Sequence, residues 1–192
     1  MLDHKGTKEI VTNRLLLRKF NHNDADDMFC NWANDDEVTK YLAWSSHENI
    51  ETTKQVIANW IGSYDSMETY HWAIVPSDFK KPIGSISVTA LSNKNEKCEV
   101  GYCISRRFWG KGYVTEALKA VISFLFEDIG FERIAAFHHI ENTASAKVML
   151  KAGMKYEGRI RKYIKNNCGE FKDCDLYSIV KEDYSENKGL IT

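Results

Sequence analysis

The sequence predicts one mixed α/β domain: a central, mostly antiparallel sheet with one parallel strand pair, flanked by helices on both faces. Three observations point there. The β-favouring runs Tyr70–Val75, Ile83–Leu91 and 98–105 follow one another through short turns, the pattern of an antiparallel meander. A long helical pattern over 112–129 then leads to another strand at Arg133–His139, and such a crossover lays its two strands parallel. Two last runs, Met154–Ile164 and Phe171–Val180, flank a turn-rich stretch and read as a closing hairpin.

Composition sets the frame. With 192 residues, 43% hydrophobic and 28% charged, the chain suits a single globular domain across 1–192, its core at about 14–184 and its ends polar. A net charge of −1 gives no electrostatic reason to expect nucleic acid or a membrane surface. No apolar run is long enough to cross a bilayer, and residues 1–5 lack a signal-peptide core. Five cysteines without a Cys-x-x-Cys argue against a disulfide framework or a zinc knuckle, so no metal is expected and a cytoplasmic setting is.

Taken in order, residues 1–13 are polar and read as loose. Leu15, Leu16, Leu17 and Phe20 mark a first strand. An N-cap candidate lies within Asn21–Asp24, ahead of a short helix whose apolar face is Ala25, Met28, Phe29, Trp32 and Ala33. After an apolar connector (Val38, Tyr41, Leu42, Trp44), residues 48–63 form a second helix. Gly84, near the start of its strand, marks a bulge or a close backbone contact. Residues 141–153 form a short helix ending at Gly153.

The most informative stretch joins the third strand to the long helix, through Trp109-Gly110-Lys111-Gly112-Tyr113-Val114-Thr115. A glycine turn opening a helix is an anion site in outline, because the first helical amides lack partners and the dipole favours negative charge. The spacing fits neither a P-loop nor a dinucleotide fingerprint: one residue separates the glycines, and Thr115 stands where a third glycine or alanine belongs.

These residues resemble the pyrophosphate loop of the Gcn5-related N-acetyltransferase (GNAT) family, Gln/Arg-x-x-Gly-x-Gly/Ala. A register starting at Arg107 matches in full. One starting at Trp109 keeps the central glycine Gly112 and sets Val114 where the family has glycine or alanine. The second is preferred, because the Trp-Gly-Lys-Gly-Tyr-x-Thr-Glu-Ala run is similar to the branch that acetylates ribosomal-protein N-termini. Asn142-x-x-Ser145 with Gly153-Met154 resembles the family's second hallmark, in the right order and after a strand.

The resemblance implies acetyl-CoA as donor, coenzyme A as product, and transfer to a primary amine by direct attack in a ternary complex. It implies a splayed parallel strand pair in which backbone at Tyr102, Cys103 and Ile104 pairs with the pantetheine arm. The loop from Trp109 to Thr115 would hold the diphosphate, Asn142 would bond the pantetheine, and Ser145 would protonate the leaving thiolate. Glu99 is the candidate base, on the face opposite Ile104 by strand alternation. An α-amine, with a pKa near ~8, needs less help from a base than a lysine at ~10.4.

His138 and His139 cannot both line one cleft, since neighbours on a strand face opposite ways. Glu116 complements the helix dipole, and Cys103 reads as small apolar filler. The expected acceptor is a protein or peptide N-terminus, with ribosomal proteins among the candidates, handled by a monomer or homodimer. A small amine (polyamine, amino acid or aminoglycoside) is the rival, kept open by the acidic cluster Asp24, Asp26, Asp27, Asp35, Asp36 and Glu37. A non-catalytic acyl-CoA sensor is the reading from another class. The basic residues Arg159, Arg161, Lys162 and Lys165 form a solvated patch or an attraction for an acidic acceptor.

Overall fold

A computed structural model of the chain describes residues 1–189. Eight strands form one sheet, in the order β1-β2-β3-β4-β5-β6-β8-β7. They are β1 (Ile10–Val11), β2 (Leu15–Arg18), β3 (His71–Pro76), β4 (Gly84–Ser92), β5 (Lys97–Ile104), β6 (Arg133–His139), β7 (Lys155–Lys165) and β8 (Phe171–Val180). Every pairing is antiparallel except β5 with β6. The meander, the crossover and the closing hairpin are therefore as the sequence reads. The last residues of the expected polar tail, 190–192, lie outside the described residues.

Alternation along the strands builds a core on each face. Trp72 and Ile74 of β3, Ile86 of β4 and Val100 of β5 pack under α4 (Tyr113–Phe124) and α5 (Thr143–Lys151). Ala73 and Val75 face the other way, onto α1 (Ala25–Met28) and α3 (Ile50–Ser63). Short α2 (Asp36–Thr39) lies between those two, and α6 (Lys181–Gly189) follows β8. The stripe Val114, Ala117, Leu118, Val121, Ile122 and Leu125 is fully buried, each large side chain contributing about 1.5–3 kcal/mol. A π-helical turn (Leu125–Ile129) extends α4 to Gly130, whose φ of +90° ends it as a left-handed cap.

The N-terminal stretch departs from expectation. Residues 1–13 are docked: Asp3 N donates to Ile129 O, Gly6 N to Met67 O, and the Trp72 indole N–H to Lys8 O at 2.6 Å. A buried indole N–H needs an acceptor, and a backbone carbonyl supplies one whatever the local side chains. Gly84 proves to be a close contact. A Cβ there would lie 2.3 Å from Cys103 O, so only glycine lets β4 approach β5 at this point. The bulge lies further on, at Val88/Ala90, and its extra residue, Thr89, belongs to β4. The alternation of β5 is left unbroken.

Candidate active site

Gly110 and Gly112 both take positive φ, +73° and +79°, and Gly112 is the N-cap of α4. The first bond at this end runs from Glu116 N to Gly112 O at 3.0 Å. The amides of Tyr113, Val114 and Thr115 thus emerge from the helix end without a backbone acceptor among the described residues. Val114, the departure from the family pattern, turns its side chain into the core and does not crowd the loop. Lys111 lies over the Phe108 ring at 5.0 Å, and the Trp109 indole donates to Ile104 O at 3.0 Å. Beside the turn is a hollow of about 270 Å³ lined by Asp78, Phe79, Arg107, Phe108, Lys111 and Tyr113.

Sequence reasoning missed what braces this turn. Arg14 donates to Lys111 O at 3.1 Å, stacks over Tyr113 at 4.6 Å and pairs with Glu116 at 2.7 Å. Glu116 also accepts from Thr12 Oγ1 and from Arg14 N. Desolvation pushes the Glu116 carboxyl up, but these hydrogen bonds and the guanidinium charge outweigh it and hold it below its ordinary value. Glu116 does more than complement a dipole: it ties the β1–β2 turn to the anion loop.

The parallel ladder runs Lys97–Arg133, Cys98–Ile134, Glu99–Ala135 and ends there among the described residues, although both strands continue. The sheet opens from Glu99 onward. Glu96 O accepts from Glu132 N on the β6 side, while Ser105 N donates to Ile83 O on the other. Backbone groups alternate, so Val100, Tyr102 and Ile104 address the opening. Cys103 differs from the expectation: its backbone pairs with Ser85 of β4, and its side chain meets Ser85 Oγ at 3.4 Å. Burial pushes the Cys103 thiol up, which keeps it protonated and suits filler better than a nucleophile.

On the α5 side of the opening, the Tyr102 hydroxyl donates to Ser145 O at 3.2 Å, and burial pushes that phenol up. Ser145 is half-buried in the first turn of α5. Asn142 is the N-cap, its side-chain oxygen accepting from Ser145 N at 3.3 Å.

On the opposite face a cavity of about 460 Å³ lies between the sheet and the first helices. Its floor includes Ser85, Ser87, Gly101 and Cys103, and its wall includes Trp32, Leu42, Trp44 and Trp60. Glu99 stands outside these walls, two residues from Gly101 on the same side of β5, and accepts from the Tyr163 hydroxyl at 3.2 Å. Tyr163 packs edge-on to Phe137 of β6 at 4.8 Å. It too was missed, lying 64 residues away on another hairpin.

His138 is buried, its Nδ1 2.7 Å from His139 O, while His139 stacks on Tyr41 at 5.2 Å. In the acidic cluster, Asp24 pairs with Arg18, Asp27 with Lys81 and Asp35 with Arg106. None of the cluster lines the cavity. In the basic patch, Arg159 pairs with Asp175 at 2.8 Å and Lys165 lies over Phe171. No cluster of three or more His, Cys, Asp or Glu able to hold a metal occurs among the described residues. Among them, too, no helix is long and apolar enough to cross a membrane.

A free-amide helix start beside a sheet that opens on its parallel pair fits an extended, diphosphate-bearing ligand. Residues 14–155 match the family model described as an acetyltransferase (GNAT) domain. The chain belongs to the GNAT acetyltransferase family. This acetyltransferase is 36% identical over 172 residues to YoaA of Bacillus subtilis, an uncharacterised N-acetyltransferase, covering 90% of this chain and 96% of that one. It is 24% identical over 120 residues to the ribosomal protein uS5-alanine N-acetyltransferase of Escherichia coli, covering 62% and 61%. Among solved structures, a GNAT-family acetyltransferase from Bacillus anthracis superposes with a TM-score of 0.79 at 27% identity, covering 91% and 99%. The protein is an acetyl-CoA-dependent N-acetyltransferase.

Proposed function

We propose that the enzyme acetylates the α-amine of a protein N-terminus in the cytoplasm, by direct attack within a ternary complex. The observation that carries this reading is the position of the cavity. It reaches β5 at Gly101 and Cys103, where the sheet has parted, while the anion turn lies beyond the far end of the same strand. Donor and acceptor then meet at one strand from two sides.

When bound, acetyl-CoA supplies an activated thioester carbonyl. The amides of residues 113–115 and the Trp109–Gly112 turn, with Lys111, hold the diphosphate. Backbone at Tyr102 and Ile104 aligns the arm, and Asn142 steadies its far side. Glu99, on the acceptor face, takes the proton the attacking amine gives up, directly or through one water. Ser145 gives a proton to the departing thiolate as the carbon–sulfur bond breaks and the carbon–nitrogen bond forms. A carboxylate is a weak base, which suits an α-amine already partly neutral near pH 7–8.

Two further points support an N-terminal acceptor. The likeness to an alanine N-acetyltransferase covers 62% of the chain. Three of the six acids in the cluster that would attract a polycation are in ion pairs, and none of the six lines the cavity. A thiol-release assay tests the reading with free and N-terminally blocked peptides, spermidine and an aminoglycoside. Turnover is expected with free peptide N-termini and not with blocked ones; turnover confined to the polyamine or aminoglycoside would overturn it.

A further inference from the structure

We propose that the cavity selects an amine carried on a bulky, uncharged body, an aromatic or branched apolar first residue in preference to alanine or serine. This rests on reading the cavity as the acceptor site. Size is the first argument. At about 460 Å³ the space lies within the roughly 300–1,000 Å³ range of pockets that enclose whole small molecules. A methyl or hydroxymethyl group would leave most of it unfilled and forfeit the dispersion contacts of the walls.

The shape of the floor is the second. His71, Ser87 and Gly101 stand in one row across three strands, through the pairs His71–Ser87 and Ser87–Gly101. From Gly101 on the reacting strand, only Ser87 intervenes before the Trp60–His71 pair, whose rings meet edge to face at 4.1 Å. A bare floor under an aromatic wall accepts a ring or a branched chain lying flat.

Charge is the third. Among the described lining residues Glu68 is the one acid; its side chain is half exposed, and one oxygen accepts from Asn93 at 2.9 Å. The remaining wall is neutral, and burial holds the His71 imidazole uncharged, down to about 4. A second charge held away from Glu68, against the aromatic and small residues of the wall and floor, would lose its water without an acidic partner.

The experiment is a kcat/KM series for the full chain with peptides differing only in residue 1 (Ala, Ser, Leu, Phe), together with phenylethylamine and spermidine. Phe and Leu peptides are expected to exceed Ala and Ser by about tenfold or more, in line with the discrimination apolar pockets achieve. Ser87→Phe, which fills the floor, is expected to reverse that order. Acetylation of phenylethylamine without any peptide would uphold the bulky-body preference and overturn the N-terminal reading. A preference for Ala or Ser would uphold the N-terminal reading and overturn this inference. Turnover of spermidine alone would overturn both.

Discussion

The Tyr163 hydroxyl lies 3.2 Å from the Glu99 carboxylate, at the point where β5 and β6 part. A register shift between Ile160 and Ile164 makes this reach possible. Lys162, within it, takes a φ of +51° and donates its amide to Asp173 Oδ1 at 2.9 Å. Bulges commonly re-aim one side chain, and this one aims Tyr163 over Phe137 toward the acceptor face. Burial and the Glu99 charge both push the Tyr163 phenol up, so it remains a donor through neutral pH.

Replacing Glu99 by Gln should cut turnover and move the acid limb of the pH–rate profile up, toward the ~8 of the α-amine itself. Tyr163→Phe should lower kcat about three- to tenfold, the worth of one ordinary, solvent-accessible hydrogen bond. Coenzyme A affinity should hold in both. Calorimetry with steady-state kinetics separates the two readouts; unaltered rates across pH would remove the pair from the mechanism.

Glu116 should matter to stability in a pH-dependent way. Its folded-state pKa is depressed, so its contribution is present above the unfolded value of ~4.3 and is lost as pH falls through the folded one. Glu116→Gln should cost about 1–3 kcal/mol at pH 7 in urea unfolding, and the gap to wild type should narrow below about pH 4. A gap constant down to pH 3 would contradict the charge-based clamp.

His71 makes the opposite kind of group subject to the same sign. Its folded pKa, about 4, lies below the ~6.5 of a free imidazole, so the unfolded chain binds a proton across that window and the folded chain does not. Stability should fall from about pH 6.5 toward pH 4. His71→Phe should flatten that slope by on the order of 1–2 kcal/mol, since the ring is only part-buried. Parallel slopes for the two proteins would place the acid sensitivity elsewhere.

Gly84→Ala tests the spacing of β4 and β5. Its Cβ would sit 2.3 Å from Cys103 O and 2.8 Å from Ile104 Cα, both backbone, so a strand must move. A loss of about 1–3 kcal/mol is expected in thermal or urea unfolding, with weaker coenzyme A binding. Gly110→Ala, where a Cβ meets nothing within 4 Å, should cost only about 1–2 kcal/mol, the strain of an L side chain at φ +73°, with no strand displaced.

What could be read beforehand follows from the range of the interactions. The α4 stripe, the glycine turn and the capped start of α5 are local patterns, set by periodicity and capping within a few residues. So was the face of Glu99, because the bulge fell on β4 and left β5 alternating. The docked N-terminus was illegible because it is held by carbonyls such as Lys8 O, which every residue type carries. Arg14–Glu116 and Tyr163–Glu99 span 102 and 64 residues, and no local spacing announces them. The cavity's wall of Trp32, Trp44 and Trp60 gathers residues from separate segments, and its bare floor required the register of His71, Ser87 and Gly101.

A crystal structure with coenzyme A bound is the most direct test of how this enzyme holds its donor. The diphosphate is expected against the amides of residues 113–115, with the pantetheine threaded between β5 and β6 and its thiol turned toward Gly101. A bound molecule that left the Trp109–Thr115 turn empty, or lay outside the parted strands, would contradict that arrangement.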